Sequence, residues 1–102
     1  MMKKQPCVYI LAKKKHGVLY IGVTSNLMQR MYQHRGQMTG GFSAKYGVYK
    51  LIRYEMFEDM TSAIAREKQL KNWHREWKTN LIEQDNPEWV DLALGFGFAP
   101  IR

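Results

Sequence analysis

One strand-to-helix corner of this sequence collects side chains that could act on a phosphate ester. The segment LYIGVTSNLMQRMYQH, residues 19–34, places Tyr20 and Gly22 on a predicted strand, and Arg30 and His34 one helical turn apart. The planar guanidinium of arginine is suited to clamping phosphate, and a neighbouring histidine can transfer protons near neutral pH. Such pairs are also common on solvated helix faces, so the pair alone is weak evidence of a site.

Two tyrosines extend this group across a predicted hairpin. Tyr9 and Tyr20 lie on adjacent strands, and Gly22 faces the same side of the sheet as Tyr20 because it follows two residues later. Tyrosines on strands usually pack in the core or across the strand pair. A glycine beside them removes a side chain, which suggests room for a ligand.

A carboxylate, Glu67, falls within the apolar stripe of a later helix. At about 100° per residue, Ala63, Ile64 and Leu70 mark the apolar side, and Glu67 lies between them. A carboxylate in that position is destabilising unless something compensates its charge. A buried salt bridge or hydrogen bond would be the structural explanation, and a metal ion or a reacting group the functional one.

The elements that must position these side chains begin with three strands. Runs rich in β-branched and aromatic residues predict strands over residues 8–12, 18–23 and 48–57. The short polar turn between the first two predicts an antiparallel hairpin. Asn26 is the predicted N-cap of a helix over residues 27–35.

The rest of the chain is predicted to be helical, apart from a loop and the tail. Gly36 ends the first helix, and residues 37–47 form a glycine-rich loop. A longer helical pattern covers residues 60–84, either as one helix or as two broken near residues 72–74.

Asn86 followed by Pro87 predicts the start of a short last helix, and residues 95–100 form an irregular tail. The order β-β-α-β-α-α predicts a small α+β domain, a three-stranded antiparallel sheet flanked by helices.

Composition limits the class of protein. A chain of 102 residues with 45% hydrophobic residues is the size of one globular domain. Sixteen lysines and arginines against nine aspartates and glutamates give a net charge of +7, which favours nucleic acid or another polyanion as partner. A solubilising surface charge is the alternative explanation.

The single cysteine, Cys7, excludes an internal disulfide framework and a cysteine-rich zinc site. It is expected to pack as a small apolar side chain. No stretch is long enough to cross a bilayer, so we expect a soluble, cytoplasmic protein.

Taken in order, these motifs resemble the GIY-YIG nucleases, in particular the small stand-alone bacterial members. Cys7-Val8-Tyr9 stands where the family has Gly-Ile-Tyr, and Tyr20-Ile21-Gly22 matches the second motif in full. The pattern that follows is matched by Thr24, Asn26-Leu27, Arg30 and His34, and the run AREKQLK over residues 65–71 carries Glu67. The resemblance covers residues 8–82 and implies a catalytic domain over residues 1–84, with residues 85–102 as a short helix and tail packed on it.

The resemblance implies a metal-dependent endonuclease that hydrolyses phosphodiester bonds in nucleic acid, in DNA rather than RNA and of the repair or recombination type. The alternative is a module of the same fold that binds DNA or RNA without cutting it. The implied cofactor is Mg²⁺ or Mn²⁺, with Glu67 as its only protein ligand and with water and phosphate oxygens as the others. The implied catalytic residues are Tyr9, Tyr20, Arg30, His34 and Glu67.

Within that set, the resemblance assigns Arg30 to a non-bridging phosphate oxygen. It favours Tyr20 over Tyr9 as the base that takes a proton from water, with His34 as relay. Many family members also carry a downstream active-site asparagine, for which Asn72, Asn80 and Asn86 are the candidates.

Basic side chains after Glu67 suggest how nucleic acid would be held. The predicted nucleic-acid-binding residues are Lys45, Lys68, Lys71, Arg75 and Lys78, with Trp73, His74 and Trp77 interleaved. The tryptophans could stack on bases, but we expect them to pack in the core. The loop segment 42–46 either closes over bound nucleic acid or is an ordinary surface loop.

A protein-interaction subunit is a further alternative, because the basic surface could bind an acidic partner. The aromatics near the C-terminus would form that contact if they are exposed. These are Trp89, Phe96 and Phe98.

Overall fold

A computed structural model describes residues 5–35 and 50–98 of the chain, which form one sheet with helices on both faces. The strands are β1 (Cys7–Ala12), β2 (Leu19–Thr24) and β3 (Lys50–Met56), all antiparallel in the order β2-β1-β3. The helices are α1 (Leu27–Arg35), α2 (Met60–Asn72), α3 (Arg75–Asp85) and a 3₁₀ helix (Leu92–Phe96). The predicted α+β class and element order are confirmed.

β1 is the central strand, and all six of its residues are buried. One set of alternating side chains, Val8, Ile10 and Ala12, packs with apolar residues of α2 and α3. The other set, Cys7, Tyr9 and Leu11, packs under α1. Because helices cover both faces, the strand has a continuous apolar sequence and lacks a polar alternation.

Cys7 is fully buried, as the sequence predicted. Burial raises the pKa of its thiol to about 12, so the side chain is a packing group and not a nucleophile.

Capping interactions set the helix boundaries. The N-cap role of Asn26 is confirmed, because the backbone N–H of Gln29 donates to its Oδ1 at 3.1 Å. The helical pattern over residues 60–84 is two helices, separated by extended backbone at Trp73 and His74, where ψ is 150° at each residue. Gly36, the predicted loop over residues 37–47 and the first two residues of the predicted third strand lie outside the described residues.

The prediction that Asn86 begins the last helix is wrong. Its backbone N–H donates to the carbonyl of Ile82 at 2.9 Å, which places Asn86 at the end of α3. The short helix begins later, at Leu92, because Asp91 supplies the N-cap: its carboxylate accepts from the N–H of Ala93 at 3.1 Å. The 3₁₀ helix therefore includes Gly95 and Phe96, which the sequence assigned to an irregular tail.

Across the part of the chain that the structure describes, no helix is long and apolar enough to cross a membrane.

Candidate active site

Tyr9 of β1, Tyr20 of β2 and His34 of α1 meet on one face of the sheet. The Tyr9 hydroxyl lies 3.1 Å from Nε2 of His34. The ring of Tyr20 is 6.1 Å from that of Tyr9 and 5.4 Å from that of His34, measured between centroids. Three of the five predicted catalytic side chains are thus in mutual contact.

Strand register and helix periodicity explain this meeting. Tyr9 pairs directly with Gly22, and Tyr20 lies two residues before Gly22, so both tyrosines point to the same face. The buried residues of α1 are Leu27, Met31 and His34, one stripe at helical spacing that packs on that face. His34 therefore points at the tyrosines and away from solvent.

The absence of a side chain at Gly22 leaves the space that the Tyr9 ring occupies. A Cβ at residue 22 would lie 2.5 Å from the Tyr9 hydroxyl oxygen, 2.6 Å from its Cζ and 3.0 Å from Cε1 of Tyr20. The expectation that Gly22 leaves room for a ligand is therefore wrong at this position, because the buried ring of Tyr9 fills the space.

Replacing Gly22 by alanine is expected to destabilise the protein by about 1–3 kcal/mol, because the new methyl group overlaps a ring that is buried on all sides. Chemical denaturation would measure the loss. Gly95→Ala is the matched control, because a Cβ there meets no atom within 4 Å. Equal stability of the two variants would contradict the assigned packing.

Burial and Arg30 set the protonation of the cluster. Burial raises the pKa of the Tyr9 hydroxyl well above its ordinary value, and interactions with Tyr20 act in the same direction, while the charge of Arg30 opposes them. Burial, with a smaller contribution from Arg30, lowers the pKa of His34 below 6.5. Both groups are therefore neutral at pH 7, and Arg30 lies close enough to act on both.

Acid is expected to destabilise the fold in part through His34. Its pKa is lower in the folded than in the unfolded chain, so the unfolded state binds more protons, and stability falls as the pH drops below about 6.5. The difference in unfolding free energy between pH 7.5 and 5.5 should be smaller in His34→Gln, whose side chain does not titrate. Carboxylates contribute equally in both proteins, so an identical pH dependence would refute this role.

Tyr20 also lines a surface cavity of about 260 Å³ between β2 and the two long helices, where its neighbours Leu19 and Ile21 face those helices. Its lining includes Lys71 of α2 and Lys78 of α3. The ammonium group of Lys71 lies 3.3 Å from Oε2 of Glu67, one turn earlier on α2. Lys71 thus pairs with Glu67 and also lines the cavity.

The predicted burial of Glu67 is largely correct, since 15% of its side chain is exposed. Ala63 and Leu70 are buried beside it, but Ile64 is 37% exposed, so its assignment to the apolar side is wrong. The salt bridge with Lys71 supplies the structural compensation that the sequence required. It leaves the functional explanation open as well, because the partner is a lysine whose side chain is 54% exposed.

A lone carboxylate fits a hard divalent cation. Within residues 5–35 and 50–98, no three histidine, cysteine, aspartate or glutamate side chains converge on one point. Mg²⁺ is commonly held by one or two carboxylates while it keeps several waters and substrate oxygens. Glu67, whose side chain is 15% exposed, fits that kind of ligand.

The predicted nucleic-acid-binding side chains divide into three groups. Lys71 and Lys78 line the Tyr20 cavity, and Lys78 Nζ lies 3.4 Å from the Lys71 carbonyl oxygen. Lys68 is exposed on α2, and the guanidinium of Arg75 donates to the Gly17 carbonyl in the hairpin turn. Lys45 and the loop segment 42–46 lie outside the described residues.

The expectation for the tryptophans is correct for one and wrong for the other. Trp73 is half-buried and packs against the core. Trp77 is 53% exposed. The break at Trp73 and His74 starts a new helix whose buried residue is Ile82, and Trp77 lies off that face.

One candidate for the family's asparagine is excluded. Asn86 is buried, and its carboxamide bonds the Ile52 carbonyl at 3.0 Å and both backbone groups of Val90 at 2.9 Å. It has no capacity to contact a substrate. Asn72 and Asn80 are exposed and stay candidates.

A buried ion pair that sequence reasoning missed connects α1 to the C-terminal segment. Arg35 donates to Asp91 at 2.9 Å, and both side chains are less than 10% exposed. Trp89 is also buried, so it cannot form the exposed aromatic contact that the protein-interaction alternative required. Phe98 is half-buried, with the Arg35 guanidinium 5.5 Å from its ring.

Comparison with known proteins agrees with this geometry. Residues 5–80 match the GIY-YIG catalytic domain, a range that includes all five predicted catalytic residues. A UPF0213 protein of Syntrophus aciditrophicus (strain SB) is 36% identical over 85 residues, which cover 79% of this chain and 92% of the relative. A UPF0213 protein of Clostridium perfringens (strain 13 / Type A) is 37% identical over 75 residues, 74% of this chain and 80% of the relative.

One solved structure shares the fold. The solution NMR structure of a UPF0213 protein from Bacillus halodurans superposes with a TM-score of 0.54 and 23% sequence identity. The match covers 85% of this chain and 92% of that chain, and at this identity it establishes the fold alone.

Proposed function

This chain belongs to the GIY-YIG catalytic domain family, and on that premise we propose that it is an endonuclease that hydrolyses phosphodiester bonds with a divalent metal ion. The observation that carries the proposal is the contact among Tyr9, Tyr20 and His34, close enough to Arg30 for its positive charge to act on Tyr9 and His34. It forms within the residues that match the family's catalytic domain.

Tyr20 is the better candidate for the base that activates water. Tyr9 is 1% exposed and its raised pKa disfavours the phenolate, so a water molecule cannot reach it in a reactive form. Tyr20 is half-buried, so part of the residue is open to solvent. This arrangement supports the choice of Tyr20 that the resemblance favoured.

Tyr9 and His34 then form a path for the proton. The Tyr9 hydroxyl lies 3.1 Å from His34 Nε2, and the rings of Tyr9 and Tyr20 lie 6.1 Å apart between centroids. Since the lowered pKa of His34 keeps it neutral at pH 7, Nε2 can accept a proton in the tautomer protonated at Nδ1. Tyr9 would receive a proton from Tyr20 as it gives its own proton to His34.

The positively charged groups would stabilise negative charge on the phosphate. Arg30 would neutralise a non-bridging phosphate oxygen, where negative charge grows during attack. A divalent ion held by Glu67 would supply further charge stabilisation at the phosphate. Lys71 and Lys78, which line the cavity, would hold the flanking backbone phosphates.

The proposed substrate is DNA, and the net charge of +7 is consistent with a polyanion. Wild-type protein should be incubated with supercoiled plasmid, a flap and a four-way junction, each with Mg²⁺, with Mn²⁺ and with EDTA. The proposal expects cutting that requires the ion. Binding without cutting of any of these substrates would reject the DNA nuclease and favour the binding module.

A further inference from the structure

A second cavity, of about 510 Å³, opens where α2 meets α3. It is lined by Trp73, Trp77, Asn80, Leu81 and Gln84. Four of these, residues 77, 80, 81 and 84, form one stripe along α3 at helical spacing. The volume falls within the range of small-ligand sites.

The indole of Trp77 is exposed yet held in place. Its ring makes near-perpendicular contacts with Trp73, at 5.9 Å between centroids, and with His74, at 5.2 Å. Trp73 is held in turn by the core and by the Arg66 guanidinium, 5.1 Å from its ring centre. Because these contacts restrict the ring before any ligand arrives, little side-chain entropy is lost on binding.

The lining combines stacking surface with hydrogen-bonding groups. Two indoles and Leu81 offer apolar area, while the exposed carboxamides of Asn80 and Gln84 each donate and accept hydrogen bonds. Planar heterocycles with donors and acceptors on their edges complement such a site, and carboxamides recognise base edges in this way.

A neighbouring basic side chain favours a base that belongs to a nucleic acid strand. Of the three acidic side chains of α3, Glu83 lies 2.8 Å from His16 and Asp85 lies 2.8 Å from Arg53, while Glu76 is exposed. Next to Trp77 in sequence, Lys78 lines the Tyr20 cavity. The two cavities thus lie on adjacent faces of one helix, and one strand can reach both.

We infer that the Trp77 cavity binds an unpaired nucleobase of the substrate strand. The inference rests on the proposed function and extends it to a substrate class, because a base inside a duplex is already stacked on its neighbours and cannot pack on an indole. The enzyme therefore prefers DNA with a single-stranded segment beside the scissile phosphate.

The test is binding without cleavage, measured in EDTA by fluorescence anisotropy with a labelled single strand, its blunt duplex and a strand of abasic sugar-phosphate. Trp77→Ala should bind the single strand about 5- to 150-fold more weakly than wild type. Its affinity for the duplex and for the abasic strand should equal that of wild type, since neither offers a free base.

Trp77→Phe, which keeps an aromatic ring, should restore part of the affinity. Tyr32→Ala is the matched control, because Tyr32 is another exposed aromatic, on α1, and its loss should leave binding unchanged. Circular dichroism verifies that each variant is folded. Because both rings are exposed, their removal is expected to leave the fold intact.

The outcomes separate the two proposals. If wild type cuts DNA while Trp77→Ala binds the single strand as tightly as wild type, the base site is refuted and the nuclease stands. If wild type binds strands through Trp77 but never cuts, the nuclease is refuted and the base site stands. If wild type binds no oligonucleotide in EDTA, the base site is refuted and the cleavage assay alone decides the nuclease.

Discussion

Glu67→Gln is expected to lower the rate of metal-dependent DNA cleavage by about 10²- to 10³-fold or more, the loss typical of removing a main electrostatic contributor to the transition state. Glutamine has nearly the shape of glutamate, so the packing beside Ala63 and Leu70 should be kept. The change removes the negative charge that would bind a divalent ion. The resemblance to the family assigns Glu67 as the only protein ligand of that ion.

Two measurements separate loss of the ion from loss of the fold. Mg²⁺ or Mn²⁺ should raise the melting temperature of wild type but not of Glu67→Gln. Glu76→Gln is the matched control, because Glu76 is an exposed glutamate in the first turn of α3, and it should cut at the wild-type rate. Full activity of Glu67→Gln would remove this residue from the mechanism.

Local sequence signals were sufficient for the sheet and the first helix. The β-branched runs and the Asn26 cap depend on neighbouring residues, and they predicted β1, β2 and α1 with end errors of one residue or less. Tyr20 and Gly22 could be placed on one face for the same reason, since strand alternation is local geometry, whereas the meeting of Tyr9, Tyr20 and His34 depends on strand pairing and helix packing.

Long-range contacts account for what the sequence could not supply. Asn86 followed by Pro87 has the local pattern of a helix start, but the Asn86 carboxamide is occupied by Ile52, which lies 34 residues earlier. Gly22 next to Tyr20 suggests an open space, but the ring that fills it comes from β1. Both errors arise because a residue distant in the chain occupies the carboxamide of Asn86 or the space beside Gly22.

Local sequence signals were also insufficient for Trp77, which was predicted to be buried and is exposed. If residues 60–84 formed one continuous helix, Trp73 and Trp77 would lie on the same face of it. The break at Trp73 and His74 resets the phase, so that Trp73 remains against the core and Trp77 turns outward. No local signal fixed this break, because His74 makes no side-chain capping bond at the start of α3.

Asp91→Ala is expected to lower the free energy of unfolding by at least about 3 kcal/mol. The carboxylate accepts from Arg35 at 2.9 Å, from the backbone N–H of Leu51 at 3.0 Å and from that of Ala93 at 3.1 Å. Its removal deprives two buried backbone donors of their acceptor and weakens the compensation of a buried charge. For a domain of this size the melting temperature should fall by roughly 12–24 °C.

A series of variants tests whether the loss comes from these bonds. Asp91→Asn keeps one oxygen for the backbone donors but loses the charge, so its stability should lie between wild type and Asp91→Ala. Asp85→Ala removes an ion pair of similar length, 2.8 Å to Arg53, from a carboxylate that is 71% exposed, and should cost no more than about 1 kcal/mol. If Asp91→Ala proved as mild as Asp85→Ala, burial would not govern the strength of this pair. The link between α1, β3 and the C-terminal segment would then depend on apolar packing alone.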